Sequence, residues 1–491
     1  MTDIPPPGFY HLSFQDEDLT PPDDTPSDDA LQTIVHGELN RLVSENMTLQ
    51  NRIDRQTNEL MEARAQLRGY SGVGNLTLES TTDSEIVRLE SLRKEDVEHS
   101  ALLEVFNVPE FCRILVCDLK PRLARLLTPC LPSYLMLTGY RFQDHAKDEA
   151  GLTGLFNTLH VALKDTVARS HDLDVLAMWL VNSWRLLNLL RQYSGENQTE
   201  WGAGNTEKQK GHCIQNFDLA PFREKLRARV EECYQNFMKR AVEPVLSPKI
   251  VPGILQHESS QELQLTASTT TNGAGQNGLS RQSSKDHVSL RALDDLIALL
   301  GFVHSKLGVF GADPVLLGQV FGQITSWTCA LALNHLMFRK ELCNFEKAIQ
   351  IKHNVTEIQS WLHEKGLGEF RETLEPLVQA SHLLQSKKDE SNLDTLTGEM
   401  TSKLKPKQII ALLQHYAPSD GFEERRLPAE FLAKVSERLA TERSNIDEES
   451  PIMMGTYLTP FDTTPFIHSD YRLESISLPT CLHLQNVARL L

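Results

Sequence analysis

Residues 172–242 constrain the fold more than any other part of the chain. They open with DLDVLAMWLVNSWRLLNLLRQYSG, where Leu176, Trp179, Leu180, Leu186, Leu187, Leu189 and Leu190 cover nearly every side of the helix that the pattern predicts. A helix that is apolar all round has to be enclosed by other elements. After a polar connector at 194–211, Phe222, Leu226, Val230, Tyr234, Phe237 and Ala241 recur at steps of three and four, the mark of an amphipathic helix. A buried helix joined to an amphipathic one predicts a helical domain built around the pair. No β-alternation of useful length occurs along the chain, so the expected fold class is all-α.

Upstream lies a different pattern. Val35, Leu39, Leu42, Asn46, Leu49, Ile53, Gln56, Leu60, Ala63 and Leu67 alternate steps of four and three. A narrow seam of this kind with polar flanks is the coiled-coil pattern, in which a buried polar position fixes register at a cost in stability. A single amphipathic helix packing on the globular part is the alternative. These observations divide the chain into an acidic, Pro-rich and disordered 1–29, a coiled coil at 30–68 and a linker at 69–83 carrying Gly69, Gly72 and Gly74. A first helical lobe is expected at 84–255, a Ser/Thr/Gln/Asn/Gly-rich flexible loop at 256–289, and a second helical lobe at 290–491. Within the second lobe Asp313–Pro314 reads as N-cap and first turn of a helix whose apolar face runs through Leu317, Val320, Phe321, Ile324, Trp327 and Leu331. Asn354 with Glu357 reads as a capping box ahead of Ile358, Trp361 and Leu362, closed by Gly366. Past Pro451 the sequence PIMMGTYLTPFDTTPF is irregular and is expected to strap across an existing surface.

The net charge of −17 disfavours non-specific binding to nucleic acid or anionic lipid. About half of it comes from Asp3, Asp16, Glu17, Asp18, Asp23, Asp24, Asp28 and Asp29, which meet no Lys or Arg before Arg41, so basic patches remain open elsewhere. No charged n-region with an apolar core begins the sequence, and no run of about 18 uninterrupted apolar residues occurs, so neither a signal peptide nor direct membrane insertion is expected. The eight cysteines are scattered, mostly among apolar neighbours, and read as buried thiols of a reducing compartment.

Known chemistry finds little support. GxxxxGK[ST], HExxH, paired CxxC and GxSxG are all absent, which argues against an enzyme and against a bound cofactor. Cys112 and Cys117 stand five apart with no histidine at ligand spacing, and His212–Cys213 are adjacent residues that would point apart on a helix. Two features stand out. Arg339 and Lys340, with Lys347 and Lys352 nearby, form a basic cluster behind an apolar helix. It reads either as a solvated helix end with cations on the C-terminal dipole or as a contact surface for acidic partners. Arg281 precedes Ser284 by three residues, the spacing that basophilic kinases read, which makes Ser284 a phosphorylation candidate.

The strings LLNLLRQYSG, HCIQNFDL, LKPRLARLLTPCLPSYL, LALNHLMFRKELC, IKHNVTEIQSWL, LEPLVQASHLLQSKK, LLQHYAPSDGFEERR and ISLPTCLHL lie within about Arg93 to Leu491. Together they resemble the dilute domain, the globular cargo-binding tail of class V myosins. The resemblance implies a two-lobed, multi-helix tail without motor or neck, located in the cytoplasm with vesicles and actin. It implies Rab-type small GTPases and cargo adaptors as partners. It makes the 35–67 seam the end of a stalk that pairs this chain with a second copy or with a full-length class V myosin. The family has a phosphorylatable serine in the loop that matches Ser284. Its basic tail face is implicated in docking onto the motor, and at Ala411, in QIIALLQHY, the family commonly carries a basic residue. Afadin-like scaffolds at cell junctions also contain a dilute domain and supply the alternative reading.

Overall fold

Why residues 173–192 form the central helix is plain from their chemistry. The stretch contains no Gly or Pro, and Asp172 caps it by accepting a hydrogen bond from the Asp174 amide at 2.8 Å. The computed structural model describes residues 100–195, 200–258, 291–417, 427–443, 452–453 and 460–491. The acidic segment 1–29, the seam 35–67, the linker 69–83 and Ser284 lie outside the described residues. Among the described residues ten α-helices reach ten residues or more: α1 (Leu131–Ala146), α2 (Glu149–Arg169), α3 (Leu173–Gln192), α4 (Ala220–Asn236), α5 (Ala292–Val309), α6 (Pro314–Phe338), α7 (Phe345–Glu364), α8 (Glu375–Gln385), α9 (Pro406–His415) and α10 (Ala429–Glu442). The fold is all-α apart from a three-residue antiparallel ladder, β1 (Leu103–Val105) with β2 (Ala488–Leu490), in which Glu104 faces Arg489.

α3 packs on α1, α2, α4 and α5, and sixteen of its twenty residues are buried. α4 does not stop at Asn236. It continues through a π-helical turn (Phe237–Val242), an α-segment (Glu243–Ile250) and a second π-turn (Val251–Gln256). Pro244, Pro248 and Pro252 recur along this rod at four-residue spacing. Each lacks an amide proton and crowds the preceding turn, and wider turns are one way for a helix to absorb that misfit. The far end of the rod packs against α5, α6 and α7, and a single apolar core runs from Leu103 to Ala488.

Asp313 caps α6 as its sequence predicts, accepting from the Leu316 amide at 2.9 Å with Pro314 in the first turn. Its other carboxylate oxygen accepts from the Trp184 indole at 2.7 Å, so the same residue ties α6 to α3. α6 is long and apolar enough to cross a membrane, yet 67% of its most apolar window is buried inside the protein, which makes it a core helix.

Asn354 is a correction. It does not begin a helix: α7 starts nine residues earlier, where Asn344 accepts from the Lys347 amide at 2.8 Å. Asn354 is buried in the middle of α7, and its amide donates to the carbonyls of Ile254 (3.0 Å) and His257 (3.1 Å). It closes the C-terminal end of the rod, where carbonyls have no partner along their own helix. Gly366, at φ +73°, does terminate α7.

Candidate partner-binding face

The segment 460–491 runs back from the second half of the chain across α1, α3 and α4. Its contacts are built from polar residues set into the otherwise apolar α3. Asn188 accepts from the Ile467 amide (3.0 Å), and Arg191 donates to the carbonyls of Thr463 (2.5 Å) and Pro465 (3.0 Å). Gln192, fully buried, accepts from the Ser469 amide (2.9 Å) and donates to the Ser469 carbonyl (3.0 Å), as a neighbouring strand would. Aromatic stacking adds to this grip: Tyr471 lies on Tyr134 with centroids 4.2 Å apart, and Phe461 on Tyr234 at 4.1 Å. The spacing Asn188, Arg191, Gln192 within LLNLLRQYSG was a readable signal of this face, and a reading that followed only the leucines misses it.

Glu474 on the same strap accepts from His212 Nε2 at 2.8 Å, while His212 Nδ1 faces an Arg141 guanidinium nitrogen at 2.7 Å. A guanidinium only donates, so Nδ1 accepts and the ring proton sits on Nε2. Burial lowers the His212 pKa and the Arg141 charge lowers it further, against the pull of Glu474. Cys213 is not paired with His212. Its thiol lies against the carbonyl of Gln209 (3.7 Å) and the amide of Asn205 (3.9 Å). Among the described residues no group of three or more His, Cys, Asp and Glu could hold a metal ion.

The four predicted basic residues divide into two pairs. Arg339 sits at the C-terminal cap of α6, bonded to Glu341 at 2.8 Å, and with the Gln256 amide turned so that its oxygen faces Arg339, that oxygen accepts from the guanidinium at 3.1 and 3.3 Å. Hydrogen bonding to Arg339 holds the Glu341 carboxyl below its ordinary pKa. Lys347 is paired with Glu258 and bonded to Gln350 at 3.0 Å. Both cations, with Asn354, therefore clasp the end of the rod at residues 254–258. Lys340 and Lys352 are exposed and have no ion-pair partner among the described residues. Large apolar side chains close to them in sequence are exposed: Phe338 (64%), Phe345 (38%) and Ile349 (37%). Phe345, Ile349 and Lys352 follow one another at four and three residues and so share one side of α7. The chemistry of this face is apolar contact flanked by positive charge.

A family model described as "DIL domain" matches residues 319–420, which contain most of α6, all of α7 to α9 and all four of these basic residues. Unconventional myosin-Va of Homo sapiens is 31% identical over 479 residues, covering 94% of this chain and 25% of that protein. Unconventional myosin-Vb of Rattus norvegicus is 30% identical over 465 residues, covering 92% and 24%. The chain thus spans about a quarter of the length of the curated relatives it matches. Among solved structures, the apo structure of Myo2-GTD covers 83% of this chain and 99% of its own at 17% identity and a TM-score of 0.49. Myo2-GTD in complex with Mmr1 covers 83% and 99% at 19% identity and a TM-score of 0.48.

Proposed function

Since this chain is homologous to the tail region of the class V myosins and carries a DIL domain, we propose that it acts as a non-catalytic cargo-binding tail. It links vesicles or organelles, through Rab-type GTPases and adaptor proteins, to actin-based transport in the cytoplasm. The observation that carries the reading to a surface is the exposed set Phe338, Phe345 and Ile349 with Lys340 and Lys352, inside the DIL match. An adaptor helix with alternating apolar and acidic residues fits such a face, since apolar anchors supply contact area and the charges supply orientation and rate of encounter. Residues 35–67 pair two copies, or pair this chain with a full-length motor, so that two faces bind cargo together.

Affinity capture from cytosol tests this, with GTP- and GDP-loaded states compared and the retained proteins identified. Retention of membrane GTPases or vesicle adaptors that is lost when Lys340→Glu and Lys352→Glu are combined supports the reading. Retention unaffected by that reversal at low salt removes this face from cargo recognition. An actin-activated ATPase in the purified chain would contradict the non-catalytic part.

A further inference from the structure

Cys112 and Cys117 lie five residues apart, a spacing that on an α-helix would set them on different sides at 100° per residue. The chain does not follow an α-helix here. The helix Val108–Cys112 passes into a π-turn, Arg113–Cys117, closed by the bond from the Asp118 amide to the Arg113 carbonyl at 2.9 Å. In i→i+5 bonding the turn is wider than an α-turn, so residues five apart are offset less around the axis than on an α-helix. Both thiols accordingly line the same apolar groove of about 440 Å³, together with Pro109, Val161 and Ala162. Burial, with the charge of Cys117 adding to it, disfavours the Cys112 thiolate. Their exposures are opposite: Cys112 is 2% exposed and Cys117 is open to solvent. The remaining cysteines do not match this: Cys130, Cys233, Cys329 and Cys343 are buried, and Cys213 and Cys481 are half-buried.

We propose that Cys112 and Cys117 are a redox-modifiable dithiol, which a hydroperoxide closes to an intrachain disulfide across the π-turn. The Cys117 thiolate attacks the peroxide O–O bond. It becomes a sulfenic acid, and the other oxygen leaves as hydroxide, which takes up a proton to form water. The Cys112 sulfur then displaces the sulfenic oxygen, which leaves as a second water after taking the Cys112 proton. Two thiols and one hydrogen peroxide give one disulfide and two waters. Burial pushes the Cys112 thiol up to about 12, with Cys117 adding to the effect, so Cys112 suits the resolving role and not the attacking one. For the S–S bond to form, the π-turn must hold the two Cα atoms about 4.4–6.8 Å apart. Closure would reshape the groove wall facing Val161 and Ala162.

The full chain, reduced and then treated with hydrogen peroxide, is unfolded in excess maleimide and digested without reductant. The expected result is two fewer maleimide-reactive thiols, a Cys112–Cys117 peptide lighter by two hydrogens, no covalent dimer, and full recovery with dithiothreitol. Cys112→Ser should leave Cys117 as a sulfenic acid trapped by dimedone, and Cys117→Ser should leave Cys112 unreacted, with the circular dichroism of both variants unchanged. Two separate sulfenic acids, a disulfide between two chains, or both thiols still free at the peroxide dose that forms the Cys117 sulfenic acid in the Cys112→Ser variant would each overturn the proposal.

Discussion

Asn354 shows how one side chain can be misread from its neighbours. Asn followed three residues later by Glu is a capping signature, but the groups that Asn354 serves are carbonyls 97 and 100 residues away in sequence. No local window contains them. The two readings differ on one substitution. An N-cap tolerates Asp as well as Asn. Here Asn354→Asp would set a buried charge against two carbonyl oxygens, and chemical denaturation should show a loss of at least about 3 kcal/mol, against about 1–3 kcal/mol for Asn354→Ala. A second expectation concerns pH. Burial, aided by the charges of Arg229, Lys225 and Lys164, lowers the His160 pKa to about 4, and burial also lowers His212, His304 and His382. These side chains take up protons more readily when unfolded than when folded. Stability is therefore complete above the ordinary histidine value of 6.5 and falls as pH drops from there toward 4. His160→Gln keeps an acceptor for the Arg229 nitrogen that now lies 3.0 Å from the ring. It should make the decline of melting temperature between pH 6.5 and 4 shallower; an unchanged slope would mean that His160 is not among the titrating groups.

At the scale of elements, what the sequence made legible was whatever depends on local repetition. The burial of α3 follows from leucine and tryptophan on all sides, and the start of α6 follows from Asp313–Pro314. The polar positions Asn188, Arg191 and Gln192 marked a seat on α3, but which segment fills it was not legible, because they bond backbone groups of the strap some 270 residues later. The π-turns of the rod were equally hidden, since they answer to prolines already inside a helical pattern. The basic cluster was visible as a cluster, but its division was not. Glu258 and Gln256, which engage Lys347 and Arg339, come from the far end of the rod. That division is testable. Lys340→Glu with Lys352→Glu should change stability by roughly 0–1 kcal/mol, as for exposed charges. Arg339→Glu should cost more, because it abolishes the Gln256 bond and repels Glu341. Gln192→Ala should cost about 1–3 kcal/mol by stranding the Ser469 amide, and limited proteolysis should then open new cuts within 460–476.

For the whole molecule the expected outcome is a dimer by light scattering for the full chain and a monomer for residues 90–491, as the 35–67 seam requires. A shortened chain that stays dimeric at micromolar concentration would place the pairing elsewhere. The β1–β2 ladder has a mechanical consequence. Residue 100 is where the preceding chain meets the described fold, and its amide and hydroxyl both donate to the Leu491 carbonyl, at 2.9 and 2.5 Å. If residues 35–67 act as the proposed stalk, a pull that reaches Ser100 enters the described fold through this ladder. Tension passes into β1 and across three residue pairs to β2, then along the strap to the enclosed helix α3. α7, which carries Phe345, Ile349 and Lys352, lies off this route. Under such a pull the ladder would be strained before the surface proposed to bind partners is distorted.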